Sequence, residues 1–496
     1  MRLFVHVSQS APFMLNIEQE ASIEQLNDLA MEAYCSLYDH NPWILKLNRV
    51  CSFKGGDVLL VYDKQSVKKT ADEVFDISAQ ERLSLHEEPE PTSTNPVVGS
   101  KPGDKNAQPV VRYGTLNRVI IEMTSPHNND YMWKAFIHTF RQFTTPDILI
   151  HKLLERYDVC EPEGLLPCDR PRFLLQERVI IQVKVCRVLV AYLEKYRYEV
   201  RDQLDYLRTF VQENVIRDGH YGAAEELRKA IDGPTETPQF VSKGFSKGLA
   251  LSDAIYKQFW EHSPLVIAEQ LTRVDAEIYN QLSPLDFIGC KWNKKKHLVP
   301  CLVEHIEFFE KISNFVTYSI LKAPDIKARK NVMTNAIQVM SHLHELNNFN
   351  GLSAFAFAFS NPPVNRLTKT YVELKESLQE EHRNYSQLMS PLSNYKNYRV
   401  ALEGVSPNDH CVPFISPFLR DLTFIEDGNG KFNDGLINLF RAMLQYNAIG
   451  LLLKFQKPNL YSHIQENHEV MVDIDRHEMA EAEEFFQLSF RIQPRQ

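Results

Sequence analysis

Between Glu87 and Pro109 the chain reads EEPEPTSTNPVVGSKPGDKNAQP, a run with almost nothing to bury, and hydrophobic residues repeat with a different period on its two sides. Before it, apolar and polar residues alternate as in strands; after it, apolar residues recur every three to four positions as in helices, and they do so nearly to the end. One core cannot be built across such a run. A small mixed domain, a flexible linker over 87–112 and a mainly α body are therefore expected. A length of 496 residues agrees, being too long for a single core.

In front of the linker, Leu3, Val5 and Val7 alternate with polar neighbours, and Phe13, Leu15 and Ile17 repeat the pattern after a turn at Ala11 and Pro12. This predicts a β-hairpin. Ser22 with Gln25 forms a capping box before the amphipathic run Ile23, Leu26, Leu29 and Ala33, and strand-like runs follow from Trp43 and Asp57 with Gly55 and Gly56 between them. Hairpin, helix and further strands in this order resemble a ubiquitin-like (β-grasp) α+β domain over residues 1–86.

Behind the linker, Met132, Trp133, Phe136, Ile137 and Phe140 define one apolar helix face. Thr145 and Pro146 start another helix carrying Ile148, Leu149, Leu153 and Leu154, and Val179, Val183, Cys186, Val190 and Leu193 mark a third. These predict a compact helical domain over 113–217. Residues 218–250 contain glycines and Pro234 and read as a connector with some helix from Ala223. From 251 to 496 helical periodicity resumes, with Pro264, Pro300 and Pro417 near helix starts, so the fold class is mainly α with a small α+β domain in front.

A net charge of -9 argues against gripping nucleic acid. Eight cysteines without a CxxC pair favour reduced thiols over disulfides or zinc, no secretory leader is visible, and no apolar run reaches the length of a membrane span. A cytoplasmic protein that reaches membranes only through a partner is expected. The Walker phosphate loop, the GxSxG elbow and HExxH are all missing, and GFSKGLALS from Gly244 lacks the GK[ST] that a phosphate loop needs. No cofactor or metal is expected, and covalent chemistry has no nucleophile to support it.

Two segments stand out. HLHELNNFNG, from His342, passes from a helix into Asn347, Asn348, Asn350 and Gly351, amides that must be capped, solvated or used. CVPFISPFLRDLTFIEDGN, from Cys411, reads as a helix with Ser416 at the N-cap, Pro417 at the first position and Gly428 as the left-handed residue past its end. Phe418, Leu422 and Ile425 share one face at about 100° per residue, and Thr423 and Asp427 share the opposite one. Glu426 and Asp427 occupy the last turn, where acidic side chains cost about 0.3 to 1 kcal/mol against the exposed carbonyls.

Taken with SNYKNYR from Ser393, FSNPPVNRLTKTY from Phe359 and the block from Ser263, these segments resemble the catalytic domain of Ras-type guanine nucleotide exchange factors over 251–496. YGTLNRVIIEMT from Tyr113 and FIHTFRQFTTPDILIHKLLERY from Phe136 resemble that family's helical Ras exchanger motif. The resemblance implies a catalyst that speeds GDP release from a Ras-family small GTPase, of Ras or Rap type, by inserting a helical hairpin beside the nucleotide. GDP, GTP and magnesium would belong to the partner. DLTFIEDGN looks somewhat more like exchangers acting on Rap. The alternative is a silent scaffold that binds GTPases without exchanging nucleotide.

By resemblance, Thr423 falls where the family crowds the magnesium site, Asp427 where it places an acid near the phosphates, and Asn350 where an asparagine contacts the second switch. Thr423 is smaller and more polar than the large aliphatic residue of some members, and Asp427 is one methylene shorter than glutamate. Asn394, Tyr395 and Tyr398 match a partner-facing helix, with core packing the alternative for the tyrosines, and Asp421 and Asn429 are further candidates. The hairpin would run from Pro417 to Asp427, through GNGKFNDG, into a helix carrying Leu436, Ile437, Leu439, Phe440 and Met443. Arg366 is expected to tie its base to the domain, and Phe355, Phe357 and Phe359 to be core. The β-grasp domain would either bind a GTP-loaded GTPase through Lys46, Arg49 or Lys54, or act as a spacer or intramolecular regulator.

Overall fold

The computed structural model describes residues 113–494, apart from 129, 162–164, 234–239, 243–257 and 434, together with four short strands before them. These are β1 (Arg2–Val5), β2 (Phe13–Asn16), β3 (Val98–Gly99) and β4 (Val110–Val111), with β1 antiparallel to β2 and β3 to β4. The β1–β2 pairing is antiparallel, as a hairpin requires, with Leu3 opposite Leu15 and so centred on Gln9 rather than on the expected turn at Ala11 and Pro12. The remainder of the ubiquitin-like expectation, including Lys46, Arg49 and Lys54, lies outside the described residues, as does most of the linker.

Two compact units follow, one comprising residues through Pro238 together with Ile425–Asn447, the other Gln239–Phe424 with Ala448–Gln496. In the first, β5 (Tyr113–Gly114) leads into α1 (Leu116–Thr124), α2 (Tyr131–Thr139), α3 (Pro146–Tyr157), α4 (Val179–Tyr196), α5 (Leu204–Phe210) and α6 (Tyr221–Asp232). Thr115 caps α1 by accepting from Arg118 N at 3.0 Å, and Thr145 caps α3 ahead of Pro146, so the starts follow from local chemistry. Phe136, Phe140, Leu149, Leu153, Val185, Leu189 and Tyr192 fill the core. Helix α6 lies in the stretch expected to be a connector with some helix from Ala223; it buries Ala224, Leu227, Ala230 and Ile231 and packs on α4.

The second unit is built from α7 (Pro264–Tyr279), α8 (Pro300–Lys322), α9 (Ile326–Glu345), α10 (Phe349–Ser360), α11 (Glu376–Leu388) and α12 (Lys396–Gly404), closed by two C-terminal helices, His468–Arg476 and Ala482–Ile492. Pro264 and Pro300 open their helices as expected. Helix α10 packs against α8 and α9 and is buried along nearly its whole length. Phe355 and Phe359 are core, but Phe357 is 37% exposed, because alternate residues on a helix point to nearly opposite sides. Arg366 does not reach the hairpin base. It donates to the carbonyl and hydroxyl of Ser489, 3.0 and 3.1 Å away, and ties down the last helix.

Candidate functional site

The asparagine-rich turn divides its labour. Asn347 takes the left-handed conformation that ends α9 (φ 53°), and Asn348 caps α10 by accepting from Gly351 N at 2.8 Å. The Asn348 amide also donates to Thr272 Oγ1 (3.1 Å) and Asp275 Oδ2 (3.0 Å), while Asn350 Nδ2 donates to Asp275 Oδ1 at 2.7 Å. A Cβ on Gly351 would meet Asn348 Nδ2 and Leu343 Cδ2 at 3.0 Å, so glycine is what lets this turn close. Burial pushes the Asp275 carboxyl up to about 7, with the two amides partly opposing it. Asn350, expected on a partner-facing surface, is 1% exposed and committed to the interior.

A second polar knot precedes α12. Ser393, Asn394 and Tyr395 are all left-handed, with φ of 50°, 57° and 57°. Such backbone costs roughly 1–2 kcal/mol per residue and persists only where its surroundings hold it. Asp421 supplies that hold, accepting from Asn394 Nδ2 at 3.0 Å and from Arg399 Nη2 at 2.7 Å, while Arg399 Nε donates to the Asn394 carbonyl at 2.8 Å. Arg420 donates to Asn394 Oδ1 and lies over the Tyr395 ring. Tyr398 is fully buried and donates to the Phe414 carbonyl at 3.0 Å; Tyr395, 8% exposed, packs edge-on to Phe414. Core packing is the role the structure gives both rings.

The hairpin consists of α13 (Ser416–Gly428), β6 (Phe432–Asn433), β7 (Leu436–Asn438) and α14 (Leu439–Leu453). The loop is thus a small β-turn unit, with Gly435 left-handed at φ 80°, rather than an irregular connection. Leu436 and Ile437 lie in β7 rather than in the returning helix, because β7 pairs with both β6 and β5. The return helix starts one residue later, where Asn438 Oδ1 accepts from Arg441 N at 3.1 Å. Gly428 is the last residue of α13 and is not left-handed. Asn429 closes that end with its backbone and side-chain nitrogens, each 3.1 Å from the Ile425 carbonyl.

Within the first unit, four side chains join the tip to α2 and its extension. Arg441 Nη2 donates to Gln142 Oε1 (2.9 Å), Gln142 Nε2 to Gln445 Oε1 (2.8 Å), and Gln445 Nε2 to Glu426 Oε2 (3.2 Å); Glu426 Oε2 closes the cycle 2.5 Å from Arg441 Nη2. Arg441 Nη1 also donates to the Asn429 carbonyl at 2.7 Å. Around the cycle, Tyr131 bonds Asn447 at 2.7 Å, His138 stacks on Tyr446 at 5.5 Å, and Phe143 meets Phe432 edge-on at 5.9 Å. Burial, with Lys195 and Arg141 nearby, pushes His138 down to about 3, so its ring is neutral in this stack.

Glu426 is therefore structural, whereas Asp427 is exposed and forms no ion pair among the described residues. Thr423 is half-buried and donates its hydroxyl to the Leu419 carbonyl at 2.9 Å. Two surface residues escaped the sequence reading. Arg420 and Phe424 are exposed on α13, Phe424 to 64%. The signal was available, since neither lies on the 418/422/425 stripe.

Comparison with known proteins gives this arrangement a class. Residues 266–443 match the RasGEF domain, and residues 110–213 match the RasGEF N-terminal motif. The two matches lie in the order N-terminal motif, then RasGEF domain, along this chain. Among curated relatives, Ras guanine nucleotide exchange factor J of Dictyostelium discoideum is 28% identical over 430 residues, which cover 82% of this chain and 51% of that protein. Rap guanine nucleotide exchange factor 1 of Homo sapiens is 26% identical over 401 residues, 78% of this chain and 35% of that one. The chain spans about half the length of Ras guanine nucleotide exchange factors J, I and A of Dictyostelium discoideum. Among the described residues, no helix is long and apolar enough to cross a membrane.

Proposed function

We propose that this chain is a guanine nucleotide exchange factor that activates a Ras-family small GTPase, of Ras or Rap type, by stimulating GDP release through its helical hairpin. The observation that carries the reading is the side-chain cycle Gln142–Gln445–Glu426–Arg441, which holds the hairpin tip from the inside and leaves Asp427 exposed. A rigid carboxylate beside a bound nucleotide repels phosphate and competes for the partner's cationic groups, and each tenfold gain in release needs only about 1.4 kcal/mol. Thr423, whose hydroxyl is taken up by its own helix, offers position and a methyl group more than a polar contact. In this reading Asn350, Tyr395 and Tyr398 shape the surface from below, Asn394 and Asp421 fix the strained turn, and Asn429 ends α13.

The partner brings the nucleotide and magnesium. Recruitment to membranes would follow from the GTPase, and the segment before the linker, as a β-grasp domain, would bind a GTP-loaded GTPase or regulate the chain. The test is release of a fluorescent GDP analogue from a panel of Ras and Rap GTPases, measured with the purified chain. Acceleration on at least one is the expected result. Binding to nucleotide-free GTPase without acceleration on any of them would overturn the reading in favour of a scaffold.

A further inference from the structure

Along α13, Phe418 and Leu422 are buried and Thr423 is half-buried, yet Phe424 stands 64% exposed. A large aromatic ring on a helix that keeps most of its apolar surface in water after folding has that surface left to offer a partner. Its surroundings are not loose. One turn back, Arg420 is held by Asn394 Oδ1 with its guanidinium 5.6 Å from the Tyr395 ring, and Arg399 pins the same turn to Asp421. Leu392, 77% exposed, precedes that turn by one residue. An exposed aromatic beside a preorganised arginine is the composition of an interface anchor.

We propose that Phe424 is a selectivity-determining contact for the GTPase, inserting into an apolar depression on the nucleotide-free protein while Arg420 meets an acidic group at its edge. The inference rests on the exchange-factor reading. It goes beyond it by assigning selection among GTPases to the exposed ring. Arg420 must stay in place for this, and the left-handed turn at Ser393–Tyr395 is what places it.

The full chain is tested as wild type, Phe424→Ala and Phe424→Leu against the same GTPase panel, with exchange rates and affinity for nucleotide-free GTPase both measured. Because the ring is exposed, thermal unfolding of all three should coincide. Phe424→Ala is expected to lower kcat/KM on the preferred GTPase by about ten- to a hundredfold and to narrow the ratio between preferred and disfavoured GTPases, with Phe424→Leu restoring much of both. An active wild type whose Phe424→Ala variant keeps its rates and its ratio would overturn the inference alone. A wild type inactive on every GTPase would overturn the exchange-factor reading and the inference with it.

Discussion

Replacing Arg441 with methionine tests whether the side-chain cycle holds the hairpin tip. The substitution keeps the length and apolar bulk of a side chain that is 2% exposed, and removes the pairing with Glu426 at 2.5 Å and the bonds to Gln142 and to the Asn429 carbonyl at 2.9 and 2.7 Å. Removing one partner of a buried ion pair costs about 3–5 kcal/mol, mostly from stranding the other charge. The Glu426 side chain is 21% exposed and can recover some hydration, which puts the cost near the lower end, about 3 kcal/mol. Concentrated on the tip, that lowers the docked population by about a hundredfold relative to open forms. Hydrogen exchange should therefore quicken in 425–447 before the rest of the unit, and the exchange rate on a GTPase should fall with it. Adding Glu426→Met should return about half the lost stability, since an apolar pair of similar volume replaces the ion pair at little cost. Unchanged protection across 425–447 in Arg441→Met would refute the argument.

Charge reversal at exposed Asp427, Asp427→Lys, should leave unfolding within about 0.5 kcal/mol of wild type and lower GDP release more than affinity for the nucleotide-free GTPase; equal losses in rate and binding would argue against a role at the phosphates. Asp275 should make stability fall as pH rises. Its carboxyl lies at about 7 in the folded protein against an ordinary 3.8, so its contribution is full below about pH 4 and is lost as pH climbs through 7. Between about pH 5 and pH 8 the loss should be about 2–3 kcal/mol in urea unfolding, and Asp275→Asn should flatten that difference. Asn350→Ala removes one of the two amides that stabilise the ionised form, so stability should start about 1–3 kcal/mol below wild type and its fall should continue to higher pH.

Much of the scaffold was legible because its causes are local. Thr145 with Pro146 and the proline starts at 264 and 300 depend on groups within one helical turn, and the structure has helices where they point. The hairpin was legible as two arms. Its loop was less so, because β7 pairs not only with β6 beside it but also with Tyr113–Gly114, more than three hundred residues earlier. The period-two pattern of Phe355, Phe357 and Phe359 suggested a common fate, but helical geometry separated them.

The candidate site divides along the same line. From the sequence alone came the mainly helical class, the break in periodicity, the segments at His342 and Cys411, and the acids in the last turn of α13, all carried by composition, spacing and nearest-neighbour chemistry. Tertiary structure decided which polar residues are spent internally: Asn350 on Asp275, Asn394 and Asp421 on one another, Glu426 on Arg441. It also decided which remain on the surface, Asp427 and the unheralded Phe424 among them. The reason is that a buried amide or carboxylate must find its partner wherever the fold brings one, 75 residues away for Asn350 and 303 for Gln142, and no local pattern encodes that distance.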